Sequence, residues 1–397
     1  MKVLEGIVVA DFSRVLAGPF CAQQLADMGA DVIKVESPEG DENRRWQPQL
    51  PNGSSSNYAS VNRGKRAMTL DLKSERGAEI LRRLIERSDV LLHNFLPDTA
   101  ARLGLTYEAV RAINPRLVYC TINGYGERGA LRNKPGYDLM VQAFSGTMST
   151  TGFEGGPPVR SGVSFIDMAT GIAAYGAIVS ALFARERTGR GAWVHGSLLE
   201  TAVALLGYHA ISWLQAGKLP VKQGSGSSSS VPYQAFQCKD GYMLLGAPND
   251  AAWQRFCAAL EDPALAADAR FATIPLRVAN RDVLIPILEK RFLENTVAHW
   301  VDRLERKAVA VSPLHSLDQV FTHPQVLAND MLTHVADVDG ARVPLVGMPF
   351  KMEAADGPVR PAERPVPRLG AHTDEILKDV LGYSADEIRA LRDMGAV

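Results

Sequence analysis

The stretch IVVADFSRVLAGPFCAQQLADMGADVIKVE, residues 7–36, decides the fold class of this 397-residue chain. Its apolar runs at residues 7–12 and 32–35 are typical of buried strands, and residues 20–28 between them carry a helical pattern. Two strands joined by a helix indicate a parallel β-α-β unit, because parallel neighbours need a crossover connection.

The same alternation of strand and helix patterns continues over the next part of the chain. Strand patterns lie at residues 67–72, 90–92 and 117–122, and helical patterns lie at 75–87 and around 107–113. We therefore predict an α/β fold with a large, doubly wound, Rossmann-like domain that binds its ligands at the carboxyl ends of the strands. No strand pattern is followed by GxGxxG or GxxxxGK[ST], so the usual dinucleotide and nucleotide fingerprints are missing from the sequence.

A change in composition at residues 218–230 (KLPVKQGSGSSSS) predicts a second domain. This segment is either a flexible linker or a mobile lid whose backbone N–H groups stabilise an oxyanion. A strand pattern at 241–247 and three helical patterns follow, which indicates a smaller α+β domain. We divide the chain into residues 1–220, 221–323 and 324–397, and we expect a hairpin turn at Asp339-Gly340 in the last part.

One carboxylate, Asp167, stands between an apolar run and a long helical pattern at residues 168–187. The small residues of this pattern predict a buried helix, with Asp167 at or next to its N-terminus. Two interpretations stay open. Asp167 is an N-cap, which the local pattern favours, or it is a nucleophile that the helix N-terminus keeps ionised.

Charge and cysteine content exclude several classes of partner. The chain has 43 Lys and Arg against 44 Asp and Glu, so there is no electrostatic reason to expect nucleic acid or an anionic membrane. Its four cysteines are far apart and its histidines form no metal-binding motif, so we expect neither disulfides nor a metal site, and a cytoplasmic location.

Basic residues recur beside the predicted strand ends. Each alone is more often a solvated surface charge, but together they indicate a crevice that binds phosphates. They are Lys34, Arg44, Arg45, Arg63, Lys65, Arg66, Arg102 and Lys134. Asn94-Phe95 follows the strand at 90–92, and it offers an amide and a ring to a base or ribose, or forms a turn with one buried Phe.

Motifs spread over residues 11–373 together resemble the family III CoA-transferases, which also include alpha-methylacyl-CoA racemases. They are DFSRVLAGP (11–19), LADMGADVIKVE (25–36), NRGKR (62–66), NF (94–95), GYD (136–138), DMATG (167–171), TGRG (188–191), DGY (240–242) and LGAHT (369–373). Any one of these motifs is weak, but the set is specific and covers nearly the whole chain.

The resemblance implies that Asp167 is the catalytic carboxylate and that CoA and acyl-CoA thioesters are substrates, without a tightly bound cofactor. It also implies a homodimer of interlocked, ring-like subunits in which residues 324–397 return to the large domain. The residues that it places in or near the CoA site are Leu16, Lys34, Arg44, Lys65, Asn94, Phe95, Arg102 and Lys134. In the family a glycine-rich segment guards the active site, and Gly224, Ser225 and Gly226 begin the matching, serine-rich segment here.

The resemblance also separates reaction types. Racemases of the family pair a His with the Asp, where this chain has Tyr137, so we expect CoA transfer. Oxalate- and formate-specific members carry Gln where this chain has Leu16, so we expect succinyl-CoA as the donor and a short dicarboxylate such as itaconate, mesaconate, glutarate or citramalate as the acceptor. Arg14, Arg63 and Arg160 are candidates to bind its distal carboxylate, although each alone is more often a surface charge. Racemization and non-catalytic acyl-CoA binding remain the alternatives.

Overall fold

The computed structural model describes residues 2–51, 53–337, 340–354 and 357–397. Two compact units make up the chain. The first comprises Met1–Ser145, Ser161–Gly207 and Pro324–Val397, and the second comprises Gly146–Arg160 and Tyr208–His323. Domain boundaries at residues 220 and 323 stay a prediction.

The strands in chain order are β1 (Val8–Asp11), β2 (Asp31–Glu36), β3 (Arg66–Thr69), β4 (Val90–His93), β5 (Val118–Asn123), β6 (Trp193–Ser197), β7 (Tyr233–Gln237), β8 (Tyr242–Gly246), β9 (Ala310–Pro313), β10 (Leu332–Ala336), β11 (Arg342–Val346), β12 (Glu353–Ala354) and β13 (Gly357–Pro358). Among the described residues, β1 to β6 form one parallel sheet in the order β3-β2-β1-β4-β5-β6. This topology confirms the predicted α/β fold.

The helices in chain order are α1 (Ala17–Asp27), α2 (Ser56–Val61), α3 (Glu75–Arg87), α4 (Pro97–Arg102), α5 (Tyr107–Ile113), α6 (Asp138–Phe144), α7 (Thr147–Thr150), α8 (Phe165–Thr188), α9 (Leu198–Leu205), α10 (Tyr208–Ala216), α11 (Asp250–Leu260), α12 (Pro263–Ala267), α13 (Ile274–Ala279), α14 (Arg281–Phe292), α15 (Val297–Glu305), α16 (Leu317–Thr322), α17 (Pro324–Ala328), α18 (Thr373–Glu375) and α19 (Ala385–Asp393). A π-helical turn, Ile376–Val380, follows α18.

Both faces of the six-stranded sheet are covered, as a doubly wound fold requires. On one face α3, α5 and the C-terminal helices pack against residues such as Ile33 and Leu91. On the other face α1 and α8 pack against residues such as Val9, Val32 and Leu92. This arrangement brings the N-termini of α1 and α8 to the same end of the sheet.

The α8 helix lies against α1 at a glycine. A Cβ atom on Gly171 would come within 2.7 Å of the Ala17 carbonyl oxygen, so only glycine fits without a shift. By length and composition α8 could cross a membrane, a test that core helices of globular proteins also pass. One face of α8, with Ile166, Ile178 and Leu182, belongs to the core, whereas Ile172 and Phe183 are exposed, so the prediction of a buried helix holds for that face only.

The C-terminal part of the first unit contains the predicted hairpin. Strands β10 and β11 pair antiparallel from Leu332 opposite Val346 to Ala336 opposite Arg342. The predicted turn type cannot be compared, since Asp339 lies outside the described residues. Helix α19 starts with a capping box, in which Ser384 N–H donates to Glu387 Oε2 at 2.7 Å.

The second unit is a small α+β structure. Strands β7, β8 and β9 form an antiparallel sheet, and α11, α14 and α15 enclose an aromatic core with Trp253, Phe256 and Trp300. Two of its strands, β7 and β9, were not predicted, because neither carries a long apolar run. Gly207, whose φ is +50°, lies between the end of α9 and the start of α10.

Candidate active site

A cavity of about 270 Å³ at the carboxyl ends of β4 and β5 brings Asp167 together with five other predicted site residues, namely Arg14, Leu16, Asn94, Phe95 and Tyr137. Its remaining lining residues are Val15, Ala17, Glu42, Leu96, Thr99, Ile122, Asn123, Gly124, Pro135, Gly136 and Leu198. Among the described lining residues, Arg14 carries the positive charge and Glu42 joins Asp167 as a second carboxylate. The cavity therefore holds a nucleophile and a cation that can bind an anion.

Asp167 is the third residue of α8 and does not cap it. The helix begins at Phe165 after Ser164, and the capping acceptor is Asp138, whose Oδ2 accepts from Ile166 N–H at 2.9 Å and from Asp167 N–H at 3.2 Å. The prediction of Asp167 as an N-cap is therefore wrong. Asp138 belongs to the sequence motif GYD. Its capping role could not be predicted from that motif, because the two N–H groups that it accepts from lie 28 and 29 positions later in the sequence.

The protonation of Asp167 also differs from expectation. Burial raises the pKa of Asp167 to about 7, and the nearby carboxylate of Asp138 adds to the rise. A helix N-terminus stabilises an anion by about 1 kcal/mol, and burial of a carboxylate outweighs that. Burial therefore opposes the ionisation of Asp167 that the helix N-terminus is expected to favour. At neutral pH both forms are populated, and the ionised form is the nucleophile.

Asn94 and Phe95, which line the cavity, are held in place by hydrogen bonds. The Asn94 amide accepts from Arg14 N–H at 2.9 Å and donates to Arg14 C=O at 2.8 Å, so it is engaged by backbone. Phe95 N–H donates to His93 Nδ1 at 3.2 Å, which leaves the proton of this imidazole on Nε2, 2.6 Å from the Tyr119 hydroxyl. Burial lowers the pKa of His93 to about 4, so the ring stays neutral.

Lys34 and Lys65 do not present free ammonium groups. Both side chains are fully buried, and they pair with Asp41 and Asp11 at 2.9 Å. A buried charge needs such a partner, because its desolvation is costly. Neither ammonium group therefore faces an open crevice, and the place of the two lysines in or near the CoA site stays a prediction.

The other predicted phosphate contacts lie in different surroundings. Arg44 binds Glu36 through two nitrogens at 2.8 and 2.6 Å and lines a separate cavity with Leu369. Arg102 is exposed and donates to the hydroxyl of Thr99, a lining residue, at 3.1 Å. Lys134 is exposed and lies over the Tyr125 ring at 5.4 Å, next in sequence to the lining residue Pro135. Arg102 and Lys134 stay predictions for the CoA phosphates.

The structure distinguishes the three candidate arginines. Arg63 is buried and its guanidinium binds Asp27 at 2.6 Å. Arg160 is exposed and belongs to the second unit. Arg14 is exposed, lines the cavity and places its guanidinium carbon 5.9 Å from the Phe95 ring. Of the three, Arg14 is thus the one that shares a cavity with Asp167.

The predicted lid residues belong to the second unit. Gly224 N–H donates to Gly152 C=O at 2.8 Å, Gly226 N–H donates to Gln223 C=O at 2.8 Å, and the Ser225 hydroxyl accepts from Ala235 N–H at 3.0 Å. The segment is therefore hydrogen-bonded within its own unit. Its role as a lid stays a prediction.

Sequence reasoning missed Glu42, whose carboxylate lines the cavity from the short 3₁₀ helix Glu42–Arg45. No sequence signal singled it out, because an acidic residue in a turn is common. Within the described part of the chain, no group of three His, Cys, Asp or Glu side chains could hold a metal ion.

Residues 4–373 match the family model of CoA-transferase family III. The chain belongs to this family. It is similar to a succinyl-CoA:glutarate CoA-transferase from Mus musculus, at 40% identity over 403 residues that cover 100% of this chain and 91% of the mouse protein. It is 38% identical to a succinate–glutarate CoA-transferase from Agrobacterium fabrum (strain C58), with 95% of each chain covered.

Solved structures support the same assignment. The crystal structure of a CAIB/BAIF family protein from Brucella suis has a TM-score of 0.84 and 36% sequence identity, and the match covers 95% of this chain and 99% of that one. The protein is thus a family III CoA-transferase, which uses CoA thioesters as substrates.

Proposed function

We propose that this family III CoA-transferase moves CoA from succinyl-CoA to a second short dicarboxylate, with glutarate as the first acceptor to test and itaconate, mesaconate and citramalate as further candidates. The observation that carries the proposal is that Arg14 and Asp167 line one cavity. An acid bound there has one carboxylate at the nucleophile and the other at a guanidinium, which binds carboxylates through paired hydrogen bonds. The names of the mouse and Agrobacterium relatives support the same substrate pair.

The proposed reaction runs through Asp167 in four acyl transfers. The ionised Asp167 attacks the thioester carbonyl of succinyl-CoA, which forms a mixed anhydride and releases CoA thiolate. The thiolate attacks the Asp167 carbonyl, which forms an aspartyl-CoA thioester and releases succinate. Glutarate then attacks this thioester and CoA thiolate leaves again, and attack of the thiolate on the glutaryl carbonyl gives glutaryl-CoA and free Asp167. Each step breaks one acyl bond as it forms another.

The lining of the cavity favours transfer over racemization. Proton exchange at an alpha carbon needs a second acid-base group near Asp167. Apart from the carboxylate of Glu42, the described lining residues include no His, Lys or Cys, and by the resemblance to the family Tyr137 stands where racemases carry His. A tyrosine is a poor base near neutral pH. His93 is buried behind Phe95 and its two ring nitrogens are both engaged.

The decisive experiment mixes the protein with succinyl-CoA and glutarate and follows new thioesters by mass spectrometry. We expect glutaryl-CoA and succinate in equal amounts, and we expect none from Asp167→Asn. When the wild type is mixed with succinyl-CoA but no acceptor, hydroxylamine should trap the activated Asp167 carbonyl as a hydroxamate, which peptide mass spectrometry locates. Activity that persists in Asp167→Asn refutes this mechanism. Deuterium exchange at the alpha carbon without transfer indicates a racemase, and binding without either reaction indicates a non-catalytic protein.

The role of Arg14 has its own test, which compares glutarate with pentanoate. Pentanoate has the same carbon chain but lacks the distal carboxylate. We expect Arg14→Gln to lower the ratio of kcat/KM for glutarate to that for pentanoate by about 10- to 100-fold, because a charge-assisted pair contributes about 1.5–3 kcal/mol. Glu42 lines the same cavity, and Glu42→Gln removes its charge while it leaves Arg14 in place. This variant is the matched control and should keep the preference for glutarate. An unchanged ratio in Arg14→Gln refutes the assignment.

We further propose that the protein is a cytoplasmic homodimer. Large apolar side chains on α6, α8 and α9 of the first unit are more than half exposed, which is typical of a surface covered in an oligomer. They include Met140, Phe144, Ile172, Phe183 and Leu205. Light scattering after size-exclusion chromatography should give twice the chain mass of 43.0 kDa. A monomer at micromolar concentration contradicts the dimer.

A further inference from the structure

The loop at residues 13–15, between β1 and α1, forms one wall of the cavity and is held by side chains rather than by its own backbone. Each of its six backbone polar groups has a side-chain partner. The N–H groups of Ser13, Arg14 and Val15 donate to carboxylate or amide oxygens of Asp11, Asn94 and Asp41, at 3.0, 2.9 and 3.2 Å. The three carbonyl groups accept from Lys34, Asn94 and Asn43, at 2.5, 2.8 and 2.7 Å.

The loop adopts a conformation that its sequence disfavours. Val15 has a φ of +71°, and a β-branched residue rarely occupies this left-handed region. Such strain persists only where surrounding contacts determine the backbone, and it concentrates at functional sites. The contacts that determine it here come from Asp11, Lys34, Asp41, Asn43 and Asn94, which we call the loop clamp.

Stability alone is a poor reason for this arrangement. The Lys34–Asp41 pair has fully buried side chains, and buried ion pairs contribute little net stability compared with apolar residues of similar size. The pair instead orients two backbone groups of the loop, since Lys34 donates to the Ser13 carbonyl oxygen and Asp41 accepts from Val15 N–H. Arg14, between these two anchors, lines the cavity that contains Asp167.

We propose that the loop clamp is a positioning device for CoA transfer, which keeps the strained 13–15 loop in place so that Arg14 meets the distal carboxylate of the acceptor. The inference rests on the proposed function for the role of Arg14. Lys34 and Asp41 are thus positioning residues, and they act through the loop rather than on CoA.

The test breaks the clamp and then removes the strain. In Asp41→Asn the loop loses its charged anchor, and Val15 should leave the left-handed region and displace Arg14. We expect the glutarate-to-pentanoate ratio of kcat/KM to fall at least tenfold. In Asp41→Asn/Val15→Gly the left-handed conformation is no longer strained, and the ratio should return to within about threefold of the wild type. A merely structural role of Asp41 predicts no such rescue.

A matched control separates loop positioning from loss of a buried charge. Asp27 pairs with Arg63 in an ion pair whose side chains are each 5% exposed, and neither residue lines the cavity. Asp27→Asn should keep the ratio within about twofold of the wild type. Should Asp41→Asn fail to fold, Asn43→Ala removes only the anchor of the Val15 carbonyl, and we expect a threefold fall that Val15→Gly reverses.

The outcomes distinguish this inference from the proposed function. A folded clamp variant with an unchanged ratio, or a fall that Val15→Gly does not reverse, overturns the loop clamp provided that Arg14→Gln lowers the ratio. If Arg14→Gln itself leaves the ratio unchanged, the proposed role of Arg14 fails, and the clamp fails with it as a device that acts through Arg14.

Discussion

The first half of the reaction, from the attack of Asp167 on succinyl-CoA to the release of succinate, tests the buried environment of Asp167 through its dependence on pH. With a pKa of about 7, the carboxyl group is about 9% ionised at pH 6 and about 91% ionised at pH 8. Only the ionised form attacks a thioester, so kcat/KM for succinyl-CoA should rise about tenfold between these values. Substrate carboxyl groups titrate near pH 4–5, like Asp and Glu side chains, and stay ionised throughout this window.

Asp138→Asn provides the comparison. Asparagine is also a good capping residue, so α8 keeps an acceptor for its first N–H groups, but the like charge beside Asp167 is removed. The pKa of Asp167 should then fall, although burial still holds it above the ordinary value of 3.8. We expect up to about a tenfold gain in kcat/KM at pH 6 and hardly any change at pH 8, because the carboxyl group is already about 91% ionised there.

The assay measures the initial rate of glutaryl-CoA formation at subsaturating succinyl-CoA and excess glutarate, over pH 5.5 to 8.5 and with an enzyme-free blank at each pH. Far-ultraviolet circular dichroism at each pH confirms that both proteins stay folded. A flat wild-type profile between pH 6 and 8 would show that Asp167 is already fully ionised at pH 6, which would refute the argument from burial. An inflection that Asp138→Asn moves upward would refute the role of Asp138.

Three further changes test the packing around the site. Asp167→Asn should be inactive yet more stable than the wild type, because the wild type loses stability as the pH rises from about 4 to 7, the range between the pKa values of this carboxyl group in the unfolded and folded protein. In urea unfolding, the free energy of unfolding of the variant should exceed that of the wild type by about 2 kcal/mol at pH 5 and by at most about 4 kcal/mol at pH 8. A difference that shrinks as the pH rises contradicts this argument. Val15→Gly should raise the free energy of unfolding by up to about 1 kcal/mol, since relief of the left-handed strain exceeds the entropy cost of glycine. Its kcat should stay within twofold of the wild-type value. A loss of stability means that Val15 is not strained. Gly171→Ala should lower the free energy of unfolding by about 1–3 kcal/mol, because the new methyl group meets the Ala17 carbonyl oxygen. Gly176→Ala in the same helix has open space around the new methyl group and should raise the free energy of unfolding by up to about 1 kcal/mol. Equal effects of the two variants in thermal melts contradict the close approach of α1 and α8.

Much of the first unit could be predicted from the sequence because its signals are local. The pattern at residues 7–36 shows two buried strands around a helix, and the structure contains β1, α1 and β2 there. Helix α1 begins at Ala17, three residues before the predicted start, because the Leu16 carbonyl already accepts from Phe20 N–H at 2.8 Å. Such a boundary depends on the loop before the helix, which apolar periodicity does not describe.

What the sequence by itself determined is the order of the strands and helices in the large unit and the parallel sheet, because apolar periodicity depends on neighbours within a few residues. Asp167 is singled out as the catalytic carboxylate by the resemblance of the whole set of motifs to the family, since its local pattern alone favours an N-cap. The structure alone decided which charges are available. Lys65 pairs with Asp11 across 54 positions and Arg63 with Asp27 across 36, so both cations are buried while Arg14 lines the cavity. It also decided the protonation of Asp167, since desolvation depends on the chain segments that fold around a group rather than on its sequence neighbours.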